Sequence, residues 1–371
     1  MINQPLRLHV LTTADIVDAD PYSRWDDPDG IAPLSPSKRT ALLANPLLQG
    51  DREPMQIIGT RGSTIIGRMD LIAGELLVRD RDQPVRMYWG SGLHVPAHAR
   101  HTMMGIMLIM KAHGVCHTLG AHGPSQVAAL IYEKLRWAEL SFTRYIMLRR
   151  SRAVVEKKLG AGNLGRMVAS AVDAGFAVHR SVMRVASWRA AKLRCEPLSS
   201  MPPDWDDHFA QRTEPVRVHR SIKWISWVLN HSFVSDPRNR RMLFVVRNAR
   251  NESLGYFIIK ARFYESATHR GFRNLLLGSI MDWMIIEPRA LDLHTLVQLA
   301  IDQLCRCGVD AIELCTSHTN LAGWLRRQGF VRIGAQRGFF RVVAPSPLAD
   351  NIPFSSDAWW IRPGDADNLL I

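Results

Sequence analysis

The chain has 371 residues and a formal net charge of +13, from 47 Lys and Arg against 34 Asp and Glu. A hydrophobic fraction of 47% and a charged fraction of 22% exclude a mainly disordered, collagen-like or fibrous polypeptide, and the length suits two domains with connecting material. Five cysteines are too few for a disulfide framework and fit a reduced, cytoplasmic setting.

Residues 6–13, LRLHVLTT, read as a strand, and Ser37–Leu48 as a helix after a turn-rich run. MQIIGTRG, STIIGRMDLIAG and ELLVRD follow as strands, then VRMYWGSGLHV. Gly90 and Gly92 weaken that last strand but suit a bulge or a splayed edge where a ligand enters a sheet. A helix is expected over Ala99–Ala112, then a strand VCHTLG, a helix over Gln126–Leu135 and a strand SFTRYIML. The apolar run Met103–Met110 is cut by Lys111 and His113, well short of the ~20 residues that span a bilayer. The start, MINQPLRLHVLTT, lacks a signal-peptide core.

From Arg149 to Arg194 there are eleven Lys and Arg against Glu156 and Asp173, which places most of the excess charge in one segment. Such a distribution argues against a uniform nucleic-acid-binding surface, so nucleic acid is not the expected partner. The segment predicts a helix over Leu164–Leu193 with apolar residues at three-or-four spacing. Three roles are open to it: an interdomain helix packed against both halves, a basic amphipathic helix resting on anionic lipid at the inner face of a membrane, or, least favoured by the charge distribution, a nucleic-acid arm.

The second half keeps the same rhythm. Ile222–Leu229 reads as a helix, MLFVVRN and LGYFIIKARFY as a hairpin, and NLLLGSIMDWMII as a long strand. A helix over Leu291–Cys305, a strand AIELCT, a short helix over Leu321–Gln328 and closing strands in FVRIGAQRGFFRVV complete it. The common tail of strand, helix, strand, helix, strand is a weak internal repeat. The expected organisation is α+β, with mixed-sheet domains over 1–150 and 193–345, a basic helical linker over 151–192 and a tail over 346–371.

VPAHARHTMMG (Val95–Gly105), the strand VCHTLG and AALIYEKLRW (Ala128–Trp137) together resemble the GNAT acyl-CoA transferase superfamily. LRRQGF (Leu325–Phe330) is similar to the ending of the same family helix. The tandem order resembles transferases of bacterial exopolysaccharide and cell-envelope pathways. The resemblance implies two GNAT-like domains and an acyl-CoA-dependent N-acyltransferase. Acetyl-CoA or a longer acyl-CoA would be its co-substrate, and an amino sugar or another envelope precursor its acceptor. Two other readings stand beside it: a Fem-like aminoacyl transferase, and a non-catalytic scaffold that docks on a membrane or a polymer-assembly complex.

The resemblance places the CoA phosphates on Val95, Arg100, His101, Thr102, Met103, Met104 and Gly105. A loop feeding a helix N-terminus supplies free N–H groups and the positive end of the helix dipole, and glycine lets the backbone approach a phosphate. Met103 stands where the family has a glycine, and Arg136 and Trp137 replace its Gly-Phe pair. Tyr132 fills the position of the acid that protonates the departing thiolate, and His94 and His117 are the candidate bases. In the second half, Glu287 and neighbouring acids replace the phosphate loop and Leu325 replaces the tyrosine. Asp282 and Glu287 are therefore expected to bind the acceptor amine. No metal site is expected, since Cys305 and Cys307 point apart on a helix and His113, His117 and His122 lack completing ligands.

Overall fold

Long apolar runs with alternating side-chain faces assemble here into one sheet rather than two. The structure, a computed structural model, describes residues 4–18, 20–79, 83–152, 155, 162–185, 193–210, 215–265, 274–318, 320–342, 359–365 and 370. The first half runs β1 (Leu6–Thr12), α1 (Thr13–Val17), α2 (Pro36–Leu43), β2 (Pro54–Arg61), β3 (Thr64–Val78) and β4 (Val85–His94). A 3₁₀ turn (Ala97–Thr102), α3 (Met104–Val115), β5 (Thr118–His122), α4 (Gln126–Lys134) and β6 (Ala138–Leu148) complete it. Next come α5 (Asn163–Val185), β7 (Arg194–Leu198), α6 (Trp205–Ala210), β8 (Val216–Val218), α7 (Ile222–Asn230) and β9 (Arg240–Arg247). The chain then runs through β10 (Ser253–Tyr264), β11 (Leu275–Ile285), α8 (Leu293–Arg306), β12 (Ala311–Thr316), α9 (Leu321–Arg327), β13 (Val331–Val342) and β14 (Trp359–Trp360).

The sheet order is β1-β2-β3-β4-β5-β13-β6-β12-β11-β10-β9-β7. It reads almost the same from either end. At its centre each half lends its last strand to the other. β13 lies antiparallel between β5 and β6, and β6 lies antiparallel between β13 and β12. β4 with β5, and β11 with β12, are parallel pairs.

Strand alternation divides the core into faces. One face carries Leu71, Leu119 and Phe339 under α3 and α4, and Phe257, Ile280 and Met147 under α8 and α9. The opposite face holds a cluster common to both halves, with Met87, Trp89, Phe142, Ile258 and Phe340 packed against α2, α7 and the tail. Trp224, Trp227 and Trp283 are buried, which makes them core residues.

α4 and α9 stop in the same way. Arg136 takes the left-handed conformation (φ 58°) and Trp137 N–H donates to the Tyr132 carbonyl at 3.0 Å; Gly329 (φ 88°) and the bond from Phe330 N–H to Leu325 repeat this at 2.9 Å. The two helix endings are therefore alike in their caps, even though arginine stands in α4 where glycine is easiest.

α5 (Asn163–Val185) takes up the first part of the expected basic helix. Its links to the body include Ser151, whose hydroxyl donates to the Ala169 carbonyl at 3.0 Å and whose N–H donates to Asp173 at 2.6 Å. Ala169 is buried, but Leu164, Met167 and Val178 are exposed. Residues 186–192 of the expected helix, Lys157, Lys158 and the side chains of Arg180 and Arg184 lie outside the described residues, as does most of the tail over 346–358. Among the described residues no helix is long and apolar enough to cross a membrane.

Candidate acyl-CoA site

The first-half site begins where two parallel strands part. β4 and β5 pair at Tyr88 with Leu119 and at Trp89 with Gly120. Beyond that point β4 bends away, with Gly92 at φ 59° and a register shift in β3 between Arg68 and Asp70. Gly92 is the more constrained of the two glycines, because its backbone is also left-handed. A Cβ at Gly90 would strike the Met69 side chain, and one at Gly92 would strike the Asp70 carboxylate.

α3 opens at the mouth of this splay. Its N-cap, Met103, is exposed and left-handed (φ 59°), and no side chain caps the helix. By contrast, α2, α4, α7 and α8 are capped by Ser35, Ser125, Ser221 and Asp292. The first N–H groups of α3 thus lack the side-chain acceptor that these four helices have, as do those of the shorter α9 after Asn320. A Cβ built on Gly105 would lie 3.8 Å from both Val95 and Ile131, so the end of β4, the first turn of α3 and α4 converge on one opening.

The remaining loop residues divide into two groups. Arg100 and His101 are exposed, with Arg100 Nε 3.4 Å from the Val95 carbonyl. Thr102 donates its hydroxyl to the Ala99 carbonyl at 2.6 Å, which closes the 3₁₀ turn. Met104 is fully buried, its side chain filling the space above Gly59 and Gly67 of β2 and β3. It anchors α3, so only its backbone can serve a phosphate.

Tyr132 lies in the α4 layer, its ring 4.5 Å from Trp137 and 5.3 Å from Phe339. Burial raises the pKa of the phenol above its usual value, which keeps it protonated at neutral pH. His94 is exposed at the open end of β4. His117 is exposed just before β5, at the other end of that strand, roughly 10 Å of strand from the start of the splay. The structure therefore does not bring the two histidines together. His113 stacks on Trp137 at 4.6 Å, and burial lowers its pKa to about 4.

Asp282 is not available to an acceptor. It is fully enclosed, taking hydrogen bonds from Arg220 Nε at 3.0 Å and from the Tyr256 hydroxyl at 2.8 Å. Glu287 is exposed in the turn before α8, where it accepts a bond from Arg289 N–H at 3.2 Å. The sequence suggested one acidic site, but the fold places Asp282 in the core and Glu287 at the surface.

Sequence reasoning missed a polar cluster beneath the splay. Lys38 pairs with the enclosed Asp70 at 2.5 Å, Gln56 donates to Asp70 at 2.9 Å, and Tyr22 donates to Gln56 at 2.9 Å. Burial pushes the Tyr22 phenol up to about 12. The detectable signal was Gly92, whose missing side chain makes room for Asp70.

No protein-family model matches the chain, and no curated protein sequence does. Solved structures match instead. N-myristoyltransferase of Saccharomyces cerevisiae with bound myristoyl-CoA superposes with a TM-score of 0.57 at 12% identity, over 94% of this chain and 81% of that one. A second structure of that enzyme gives 0.56 at 11% identity, over 94% and 85%. The chain has the N-myristoyltransferase fold. A GCN5-related N-acetyltransferase from Anabaena variabilis gives 0.48 at 14% identity, over 78% of this chain and 63% of that one. The expected mixed α/β architecture built on a large mixed sheet is met in the likeness to the N-myristoyltransferase structures.

Proposed function

We propose that the protein is an acyl-CoA-dependent N-acyltransferase with its acyl-CoA site in the first half. The observation that carries this reading is the uncapped N-terminus of α3 at the mouth of the β4–β5 splay. A pyrophosphate there meets N–H groups that no side chain caps and the positive end of a helix dipole. Gly105 allows close approach, and Arg100 and His101 stand nearby in solvent. In this reading the pantetheine arm lies between the parted strands, pairing with backbone groups that β4 and β5 no longer offer each other.

Transfer forms a C–N bond and breaks the C–S bond of a thioester. The attacking amine must lose a proton and the departing thiolate must gain one. Tyr132 is the proposed donor. His94, at the open end of β4, is better placed than His117 to accept the amine proton. The second half is a degenerate repeat in this reading: Asp292 caps α8 by accepting from Thr295 N–H at 2.8 Å, and Glu287 adds a second acid near that helix end. Two acids repel a polyanion where the first half would hold one.

The yeast enzyme of the same fold is solved with myristoyl-CoA, so acetyl and longer acyl groups are both candidates for transfer here, to an amino sugar or another envelope precursor. Hydrogen exchange on the full chain with and without CoA tests the site. The account expects slowed exchange at the amides of residues 104–107 and no change at 293–296. Protection confined to α8, or absent from α3, would overturn it.

One observation favours a membrane-docking role alongside catalysis. α5 exposes Leu164, Met167 and Val178 at helical spacing within the basic segment. Flotation with anionic vesicles, expected to weaken in salt and on changing Met167 to Gln, tests that role; equal binding to neutral vesicles would remove it.

A further inference from the structure

A cleft of about 850 Å³ crosses the face of the sheet opposite α3 and α4, a size that suits a small-molecule ligand. It starts at Gly123–Gln126, just past the end of β5, and runs over β13, β6, β12 and β11 to Lys260 and Arg262 on β10. From β13 to β10 is four strand spacings, roughly 19 Å. One end of the cleft therefore lies beside the end of β5, one of the two strands between which the proposed function runs the pantetheine arm that carries the acyl thioester. The other end lies deep in the second half.

The two ends differ in charge. Lys260 and Arg262 are two residues apart on one strand and project to the same face. Lys260 is opposite Ser279, and Ser279 is opposite Glu313, so the three form a row across neighbouring strands. Among the described lining residues Glu313 is the one acid, and its carboxylate is bonded to the Arg144 guanidinium. Arg337, the remaining basic residue of the lining, is held by Glu133 and Glu139 at 2.5 Å each. Arg262 lies 4.8 Å from the Tyr264 ring centroid, which holds its guanidinium beside the cleft. Lys260 is buried and Arg262 half-buried, and two cations side by side at the far end of a cleft favour an anionic ligand group there.

The geometry points to an elongated acceptor: an amine at one end and a phosphate or carboxylate at the other, the anionic group held by Lys260 and Arg262. This rests on the acyl-CoA reading only for the end at which the amine reacts. The anion site itself stands on the cleft. A nucleoside-diphosphate-linked amino sugar has the required length and charge, and an extended peptide with an acidic end has the same chemistry.

The test begins with calorimetric titration by inorganic pyrophosphate of the full chain carrying Gly105→Glu, which closes the α3 N-terminus to a polyanion and leaves the cleft as it is. Binding should remain, weaken at least tenfold when Arg262→Gln is added and recover largely with Arg262→Lys in its place. No binding to the Gly105→Glu chain, or an affinity unchanged by Arg262→Gln, would overturn the proposal. In the second arm, thiol release from acetyl-CoA is followed with a nucleoside-diphosphate amino sugar, an acidic-ended peptide and the free amino sugar. At least one anionic amine should exceed the free sugar tenfold in kcat/KM and lose that advantage in Arg262→Gln. Turnover favouring the free sugar would refute the acceptor class. No thiol release with any amine, while Arg262→Gln still abolishes pyrophosphate binding, would keep the anion site and reject the acyl-CoA reading.

Discussion

Replacing Arg220 with Met should cost about 3–5 kcal/mol of stability, the range for removing one partner of a buried ion pair. Arg220, Asp282 and Asp365 are all fully enclosed, and the guanidinium donates to Asp282 at 3.0 Å and to Asp365 at 2.9 and 3.1 Å. It joins the end of β8 to β11 and to the tail, where Asp365 also accepts from Arg362 N–H at 2.7 Å. Without it, two carboxylates share an apolar interior. Urea unfolding of Arg220→Met should show the loss, and the triple variant that adds Asp282→Asn and Asp365→Asn should recover much of it. A single variant within about 1 kcal/mol of wild type, or a triple variant less stable than the single, would refute the reasoning. The pH dependence adds a sign. Burial and the neighbouring Asp282 push Asp365 up to about 6 from 3.8. The folded state then holds the proton more tightly than the unfolded chain, so this group's contribution strengthens as pH falls from about 7 towards 4. Stability relative to Asp365→Asn should rise over that window, and a fall would contradict the assignment.

Met103→Gly and Arg136→Gly should each stabilise the fold by about 0.5–1 kcal/mol in thermal melts, because both residues are left-handed where glycine carries no Cβ penalty. Tyr132→Phe keeps the ring packing and removes the donor, so turnover should fall by roughly 10²- to 10⁴-fold with CoA affinity unchanged; full activity would remove Tyr132 from the reaction. Asp292→Ala removes the α8 cap and should cost about 1 kcal/mol in urea unfolding.

The elements were largely legible because their signals are local. Periodicity located α4, α8 and β12 to within a few residues, and Gly90 and Gly92 pointed to the bent edge that opens the sheet. The exchange of β6 and β13 was not legible, since strand partners 190 residues apart leave no mark in either segment alone. The same limit hid the different roles of Asp282 and Glu287: both are acids near the end of one strand, and only the arrival of Arg220 from β8 makes the first a core group. Lys260 and Arg262 read as ordinary strand residues until β11, β12 and β6 lay beside them. Met104 looked like part of a phosphate loop, but the glycines that receive its side chain lie on distant strands.

Calorimetric titration of acetyl-CoA and myristoyl-CoA into the full chain and two Gly105 variants tests the central claim most directly. A Cβ at residue 105 meets Val95 and Ile131 at 3.8 Å, ordinary contact, so Gly105→Ala leaves the fold and the helix start in place. The account predicts that Gly105→Ala keeps acyl-CoA binding within a few-fold of wild type and that Gly105→Glu abolishes it, because a carboxylate then faces the pyrophosphate. Undiminished binding in Gly105→Glu would contradict the account and move the cofactor away from α3.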